Sequence, residues 1–65
     1  MQFLKLTDAQ TGACLMVNIA NINGLLSMAN GARLIMCGTI YSLEVREDIA
    51  YIVGKLRELL GDSTA

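Results

Sequence analysis

The side chains that could do chemistry in this 65-residue chain are carboxylates and thiols, and the chain contains no histidine. The carboxylates are Asp8, Glu44, Glu47, Asp48, Glu58 and Asp62. Four of them lie on or beside the predicted C-terminal helix, where a solvated face or compensation of the helix dipole explains them. Because histidine is the most common general acid or base, the chain has few side chains suited to acid–base catalysis. We therefore expect a protein that is not an enzyme and has no catalytic residue.

The two cysteines, Cys14 and Cys37, are the remaining candidates for a nucleophile, a metal site or a disulfide. Both fall in predicted strands, where burial is typical, and neither has a visible general base. Their spacing matches no zinc motif, and the glycines form no phosphate-binding loop. We expect two buried, reduced thiols that act as small hydrophobic residues, with one bridge between them as the alternative. No metal or cofactor is expected.

The composition is more apolar than that of an ordinary small domain. Hydrophobic residues make up 54% of the chain and charged residues 17%, against about 45–50% and about 25% in typical domains. A chain this small buries only about 60% of its unfolded surface, so it has little interior for so many apolar side chains. We expect a second chain to cover part of them. The prediction is a homo-oligomer, a dimer or larger, that acts through contacts with an unidentified protein partner.

Charge and hydrophobic runs bear on nucleic acid, membranes and location. The net charge is −1, and the five basic residues are scattered along the chain. This pattern argues against a surface for long nucleic acid, while it leaves room for a specific RNA contact by an oligomer. No apolar run reaches the roughly 18 residues that span a bilayer, and the N-terminus lacks a secretory signal pattern. We expect a cytoplasmic protein without a membrane span.

The sequence pattern predicts one α+β domain over residues 1–65. Five short antiparallel strands form a hairpin and a three-stranded meander, and one amphipathic helix follows. The predicted strands cover about 2–7, 13–18, 22–29, 32–37 and 40–45, and the helix covers about 46–60. Apolar residues at 49, 52, 53, 56, 59 and 60 form one helix face, as the helical period requires. Glu47 and Asp48 are expected in the first turn, and Gly61 at the C-terminal end.

The hairpin between the third and fourth strands defines a candidate interface. Asn30-Gly31 favours a type I′ turn, because both residues tolerate positive φ, and this turn would pair Met28 with Arg33. Both faces of the hairpin are then largely apolar, and the helix can cover only one of them. The candidate interface residues are Leu26, Met28, Ile35 and Met16. Arg33 and Arg46 are candidate partner contacts, and each is a candidate for a buried ion pair with Glu44.

The chain resembles the small FlbD-like proteins of flagellar and swarming motility, and similar small bacterial or phage proteins. The resemblance rests on L-x-L-T at 4–7, Val17-Asn18, Ile22, the hairpin, and E-x-x-E-D-I at 44–49 leading into the helix. It covers most of the chain, to about residue 58. The resemblance implies a cytoplasmic accessory or regulatory protein that acts by protein contacts, without catalytic residues.

A second resemblance defines an alternative function. The chain is similar in length and element order to CsrA-type translational regulators, which are intertwined dimers. Leu4 and Arg46 stand where that family contacts RNA, so this resemblance implies an RNA-binding dimer that uses both residues. A third alternative is a small-ligand binder with its pocket between subunits, for which the sequence selects no ligand.

Overall fold

A computed structural model describes residues 2–38 and 41–61, and it has the predicted α+β architecture. The elements are β1 (Phe3–Thr7), β2 (Cys14–Asn18), β3 (Ile22–Met28), β4 (Gly31–Met36), β5 (Ser42–Val45) and α1 (Ile49–Leu60), with one 3-10 turn (Ile19–Asn21) before β3. The predicted fold class, five antiparallel strands followed by a C-terminal helix, is confirmed. Position 40, where the fifth strand was predicted to begin, lies outside the described residues, as does Asp62.

The strands form two antiparallel sheets that meet at one short joint. β1 pairs with β2, and β4 pairs with both β3 and β5. Segments 7–9 and 44–46, which we call the sheet joint, run antiparallel through a bridge between Asp8 and Val45. Two backbone hydrogen bonds of 2.9 Å flank this bridge, donated by Arg46 to Thr7 and by Ala9 to Glu44. The joint therefore places β5 beside the end of β1.

The core is built from one face of each sheet and one stripe of the helix. Its buried members are Leu4, Leu6, Val17, Ala32, Leu34, Val45 and Ile52. In β1, Leu4 and Leu6 point inward while Phe3 and Lys5 point outward, which is the alternation that a strand imposes. Leu56 and Leu59 continue the helical stripe against the core. Leu60 does not, because its side chain is 66% exposed.

The helix is shorter at its N-terminus than predicted. It begins at Ile49, and the Asp48 carboxylate accepts a hydrogen bond of 2.8 Å from the Tyr51 backbone N–H. Asp48 is therefore the N-cap, and Glu47 lies before the helix, so their predicted place in the first turn is wrong. An N-cap carboxylate satisfies a backbone donor that the helix leaves unpaired, which makes Asp48 a helix boundary. Gly61, with φ 70°, ends the helix in the left-handed conformation.

The register of the β3–β4 hairpin differs from the prediction by two positions. Met28 pairs with Gly31, and Leu26 pairs with Arg33. The two loop residues, 29 and 30, both have negative φ, so the turn is not type I′. Gly31 instead opens β4 with φ 142°, at a point where a Cβ would overlap the Val45 carbonyl oxygen. Because the shift is an even number of residues, each side chain keeps its predicted face.

The expected burial of the two cysteines is wrong. Cys14 and Cys37 are free thiols, and both are exposed. Cys14 shares the outward face of β2 with Met16, and Cys37 follows β4 directly. Strand alternation therefore exposes Cys14, even though the strand itself is half-buried. Across residues 2–38 and 41–61, no helix has the length and hydrophobicity that crossing a membrane requires.

Candidate interaction surface

Three of the four candidate interface residues lie together on the outward side of the three-stranded sheet. Leu26 and Met28 project from β3 with 45% and 38% of their surface exposed, and Ile35 projects from β4 with 38% exposed. The inward side of the same strands carries the buried Ala32 and Leu34. We call the outward side, with Leu26, Met28, Arg33, Ile35 and Glu44, the outer face. Its apolar side chains, Leu26, Met28 and Ile35, are not among the residues that form the core or pack against it.

The strand register orders the outer face into two rows. Leu26, Arg33 and Glu44 stand side by side on β3, β4 and β5. In the next row, Ile35 stands between Gly24 and Ser42. A Cβ added at Gly24 would lie 3.7 Å from the Ile35 Cδ1 atom, so the isoleucine leans over the glycine. Ile35 thus has a small residue on each side of it.

An ion pair lies in the first row of the outer face. The Arg33 Nη2 atom donates to the Glu44 Oε2 atom at 2.8 Å. The side chains are 36% and 48% exposed, so the candidate pair of Arg33 with Glu44 forms but is not buried. The Arg33 Nε atom is buried and has no hydrogen-bond partner among the described residues. Arg33 therefore binds Glu44 through one end of its guanidinium group, and the pair contributes little to stability at this exposure.

The structure separates the other candidate contacts from the outer face. Met16 is 60% exposed, but it belongs to the other sheet, where it pairs with Lys5. Leu4 is 3% exposed and packs in the core, so it is not presented to RNA or to a protein partner. Arg46 lies at the sheet joint, where its Nε atom donates to the Ala9 carbonyl at 3.5 Å. The outer face therefore combines Arg33 with three of the four predicted interface residues.

A contact between Glu47 and Thr7 was not predicted from the sequence. Glu47 accepts hydrogen bonds from the Thr7 backbone N–H and from the Thr7 hydroxyl, each at 2.9 Å. Desolvation raises the pKa of this carboxyl, but the hydrogen bonds from Thr7 and from the Glu47 backbone, together with the charge of Arg46, hold the pKa below its ordinary value. The two residues are 40 positions apart, and no local sequence signal links them. The contact fixes the β5–α1 connection to the end of β1.

Asp8 also has a structural role, in the loop between β1 and β2. Its Oδ2 atom accepts from the backbone N–H and the hydroxyl of Thr11, at 2.8 and 2.9 Å, and from the Gln10 N–H at 3.2 Å. These hydrogen bonds, those from Thr11 first, lower the pKa of Asp8. Four carboxylates therefore have structural partners. Asp8 orders the β1–β2 loop and Glu44 pairs with Arg33. Glu47 binds the end of β1, and Asp48 caps the helix.

The described residues form surface depressions that differ in charge, and the lining of one of about 280 Å³ between β1 and α1 includes Lys5, Lys55 and Glu58. The described residues contain no group of three or more histidine, cysteine or acidic side chains in metal-binding proximity. A surface depression of about 540 Å³ beside the 3-10 turn is lined by Gln2, Asn18, Ile19, Ala20 and Leu60, none of which is charged. A smaller one, of about 220 Å³, lies at the β3–β4 turn and includes Met28 and Glu44.

The outer face is therefore an exposed, largely apolar side of the sheet that carries one internal ion pair. Comparison with known proteins adds no family to this description: no family model, no curated protein and no solved structure matches the chain.

Proposed function

We propose that this chain is a non-enzymatic protein-contact module that self-associates through its outer face and acts in the cytoplasm as an accessory or regulatory factor. The observation that carries the proposal is the placement of Leu26, Met28 and Ile35. All three are exposed by more than a third, and all three project from one side of one sheet. The core already occupies the opposite side of that sheet.

Physical chemistry supports this use of the surface. Single exposed apolar residues are normal, but contiguous ones bordered by polar groups are typical of interaction sites. An interface of standard size takes about 800 Å² from each partner, and the accessible surface of the chain is 4512 Å². A dimer interface of this size is therefore a modest share of the surface.

The two alternative functions receive less support from the described residues. RNA binding in the CsrA manner relies on Leu4 and Arg46, and Leu4 is a core residue. Arg46 is exposed but already donates to the Ala9 carbonyl. A small ligand at a subunit interface would use a depression such as the one beside Met28, which gathers only one charged group, Glu44. Self-association through the outer face is therefore the function that we put forward.

The test is the molar mass in solution, measured by size exclusion with light scattering over a series of protein concentrations. We expect the wild type to exceed the monomer mass at tens of micromolar. The double variant Leu26→Thr/Ile35→Thr should be monomeric there, because threonine keeps strand propensity but removes apolar surface.

Met16→Thr is the matched control, since it changes an exposed apolar residue on the other sheet and should leave the mass unchanged. Circular dichroism verifies that each variant is folded. A monomeric wild type would refute the proposal. A Met16 variant that dissociates while the double variant does not would move the interface to the first sheet. Absorbance at 260 nm in the same run would reveal bound nucleic acid, which would favour the RNA-binding alternative.

A further inference from the structure

We infer that the outer face binds the same face of a second copy about a two-fold axis, so that each Arg33 faces the Glu44 of the other copy. This inference rests on the proposed function, and it specifies the partner and the recognition chemistry. It starts from a charged feature of the outer face, the ion pair in its first row. That pair is half exposed and lies beside Leu26, so any partner that covers the leucine must also meet these charges.

The charges favour a second copy because the pair is complementary to itself. Arg33 and Glu44 are direct neighbours across β4 and β5, and neighbouring strands are about 4.8 Å apart. A two-fold axis that lies between the two stacked faces, parallel to β4 and β5 and midway between them, places each guanidinium opposite the other copy's carboxylate. Contacts in a two-fold interface are reciprocal, so both copies gain the same pairing. An axis over either strand alone would oppose two like charges, which disfavours association.

The remaining hydrogen-bonding capacity of the pair fits this exchange. A guanidinium group has five N–H donors and a carboxylate has about four acceptor positions. Within each chain, one contact between Nη2 and Oε2 links Arg33 to Glu44. Both side chains reach solvent, with 36% and 48% of their surface exposed. Each arginine can therefore keep its own glutamate and donate to a second one.

The second row of the outer face fits the same axis. A two-fold axis between β4 and β5 sets Ile35 of each copy against Ser42 of the other, because these residues pair in register within the chain. A large apolar side chain then meets a small one, which allows the two faces to approach. Leu26 and Met28, on the other side of β4 from β5, then face the segment next to β5 in the other copy. That segment is residues 7–9 of its sheet joint.

The test uses two charge reversals, Arg33→Glu and Glu44→Arg, studied separately and mixed. Arg33→Glu has acidic side chains at both 33 and 44, and Glu44→Arg has basic side chains at both. Two copies of the same variant therefore repel each other at this pair of positions. We expect either variant alone to raise the dimer dissociation constant by about tenfold or more, since each dimer gains two like-charge contacts. Mixing equal amounts should restore the dimer, because the two variants complement each other. Sedimentation velocity measures all three samples.

The double variant Arg33→Glu/Glu44→Arg is the matched control, because it keeps the pair within the chain and the complementarity between chains. It should self-associate as the wild type does. If the wild type associates but the single reversals do so equally well, or if their mixture stays monomeric, the exchange of charges is refuted while self-association stands. A monomeric wild type overturns both the proposed function and this inference.

Discussion

Replacing Gly31 by alanine tests whether the approach of β4 to β5 depends on the missing side chain. Gly31 has φ 142°, and the nearest atom to an added Cβ would be the Val45 carbonyl oxygen. Their separation would be well below 3.0 Å, a distance below which Cβ contacts are essentially never seen. The obstacle is backbone, so it cannot move away as a flexible side chain would. Alanine at this position must therefore displace β4 from β5.

The size of the effect follows from two costs. An alanine in this backbone conformation costs about 1–3 kcal/mol, and relieving the overlap disturbs at least one strand hydrogen bond, at about 1 kcal/mol. We expect the free energy of unfolding to fall by about 3 kcal/mol, as the sum of the two costs. A chain of this size has a total stability of about 3–10 kcal/mol. The melting temperature should fall by about 10–25 °C.

Urea unfolding followed by far-ultraviolet circular dichroism measures this loss. The control is Gly38→Ala, because Gly38 also has positive φ, 71°, but no described residue lies within 4 Å of an added Cβ. That variant carries the cost of a positive φ without any overlap, about 1–2 kcal/mol for the left-handed conformation. If Gly31→Ala loses no more stability than Gly38→Ala, the overlap with Val45 is not a determinant of the fold, and the reasoning is wrong.

Two further predictions concern the helix and its connection to β5. The pKa of Glu47 is held below its ordinary value of 4.5, so its contribution to stability is present above that pH and is lost as the pH falls through the folded-state pKa. The urea midpoint of the wild type should therefore fall from neutral to acid pH. The midpoint of Glu47→Gln should be lower than that of the wild type at neutral pH and should fall less with acidification. Parallel profiles for the two proteins would contradict this. Gly54→Ala should stabilise the protein by about 1 kcal/mol, because an added Cβ in mid-helix meets no described atom within 4 Å. Its melting temperature should rise by about 4–8 °C, and an unchanged or lower value would show that a helix propensity gain is absent.

The fold class was predictable because its signals are local. The inward alternation of Leu4 and Leu6 and the apolar stripe that centres on Ile52 both follow from the periods of a strand and a helix. The hairpin register was not predictable in the same way. The preference of Asn30-Gly31 for a type I′ turn is a local one, whereas the position of Gly31 is set by Val45, which lies 14 positions further along the chain.

The candidate surface was predictable for a narrower reason. The register error is even, so Leu26, Met28 and Ile35 keep the face that the sequence pattern assigned to them. The burial expected of Cys14 from its hydrophobic type is wrong because strand alternation turns its side chain outward together with Met16. Contacts such as Thr7 with Glu47 join distant segments and leave no trace in local spacing.

The sheet joint has a consequence for the order of events in folding. Within each sheet, neighbouring strands follow one another closely in sequence, so those contacts close short loops. The bridge between Asp8 and Val45 joins positions that are 37 residues apart, and long loops cost more entropy to close. Because the core takes residues from both sheets and from α1, neither sheet can bury its apolar side until that loop is closed. The docking of the two sheets is therefore the cooperative step, and substitutions at the joint should slow folding more than substitutions within either hairpin.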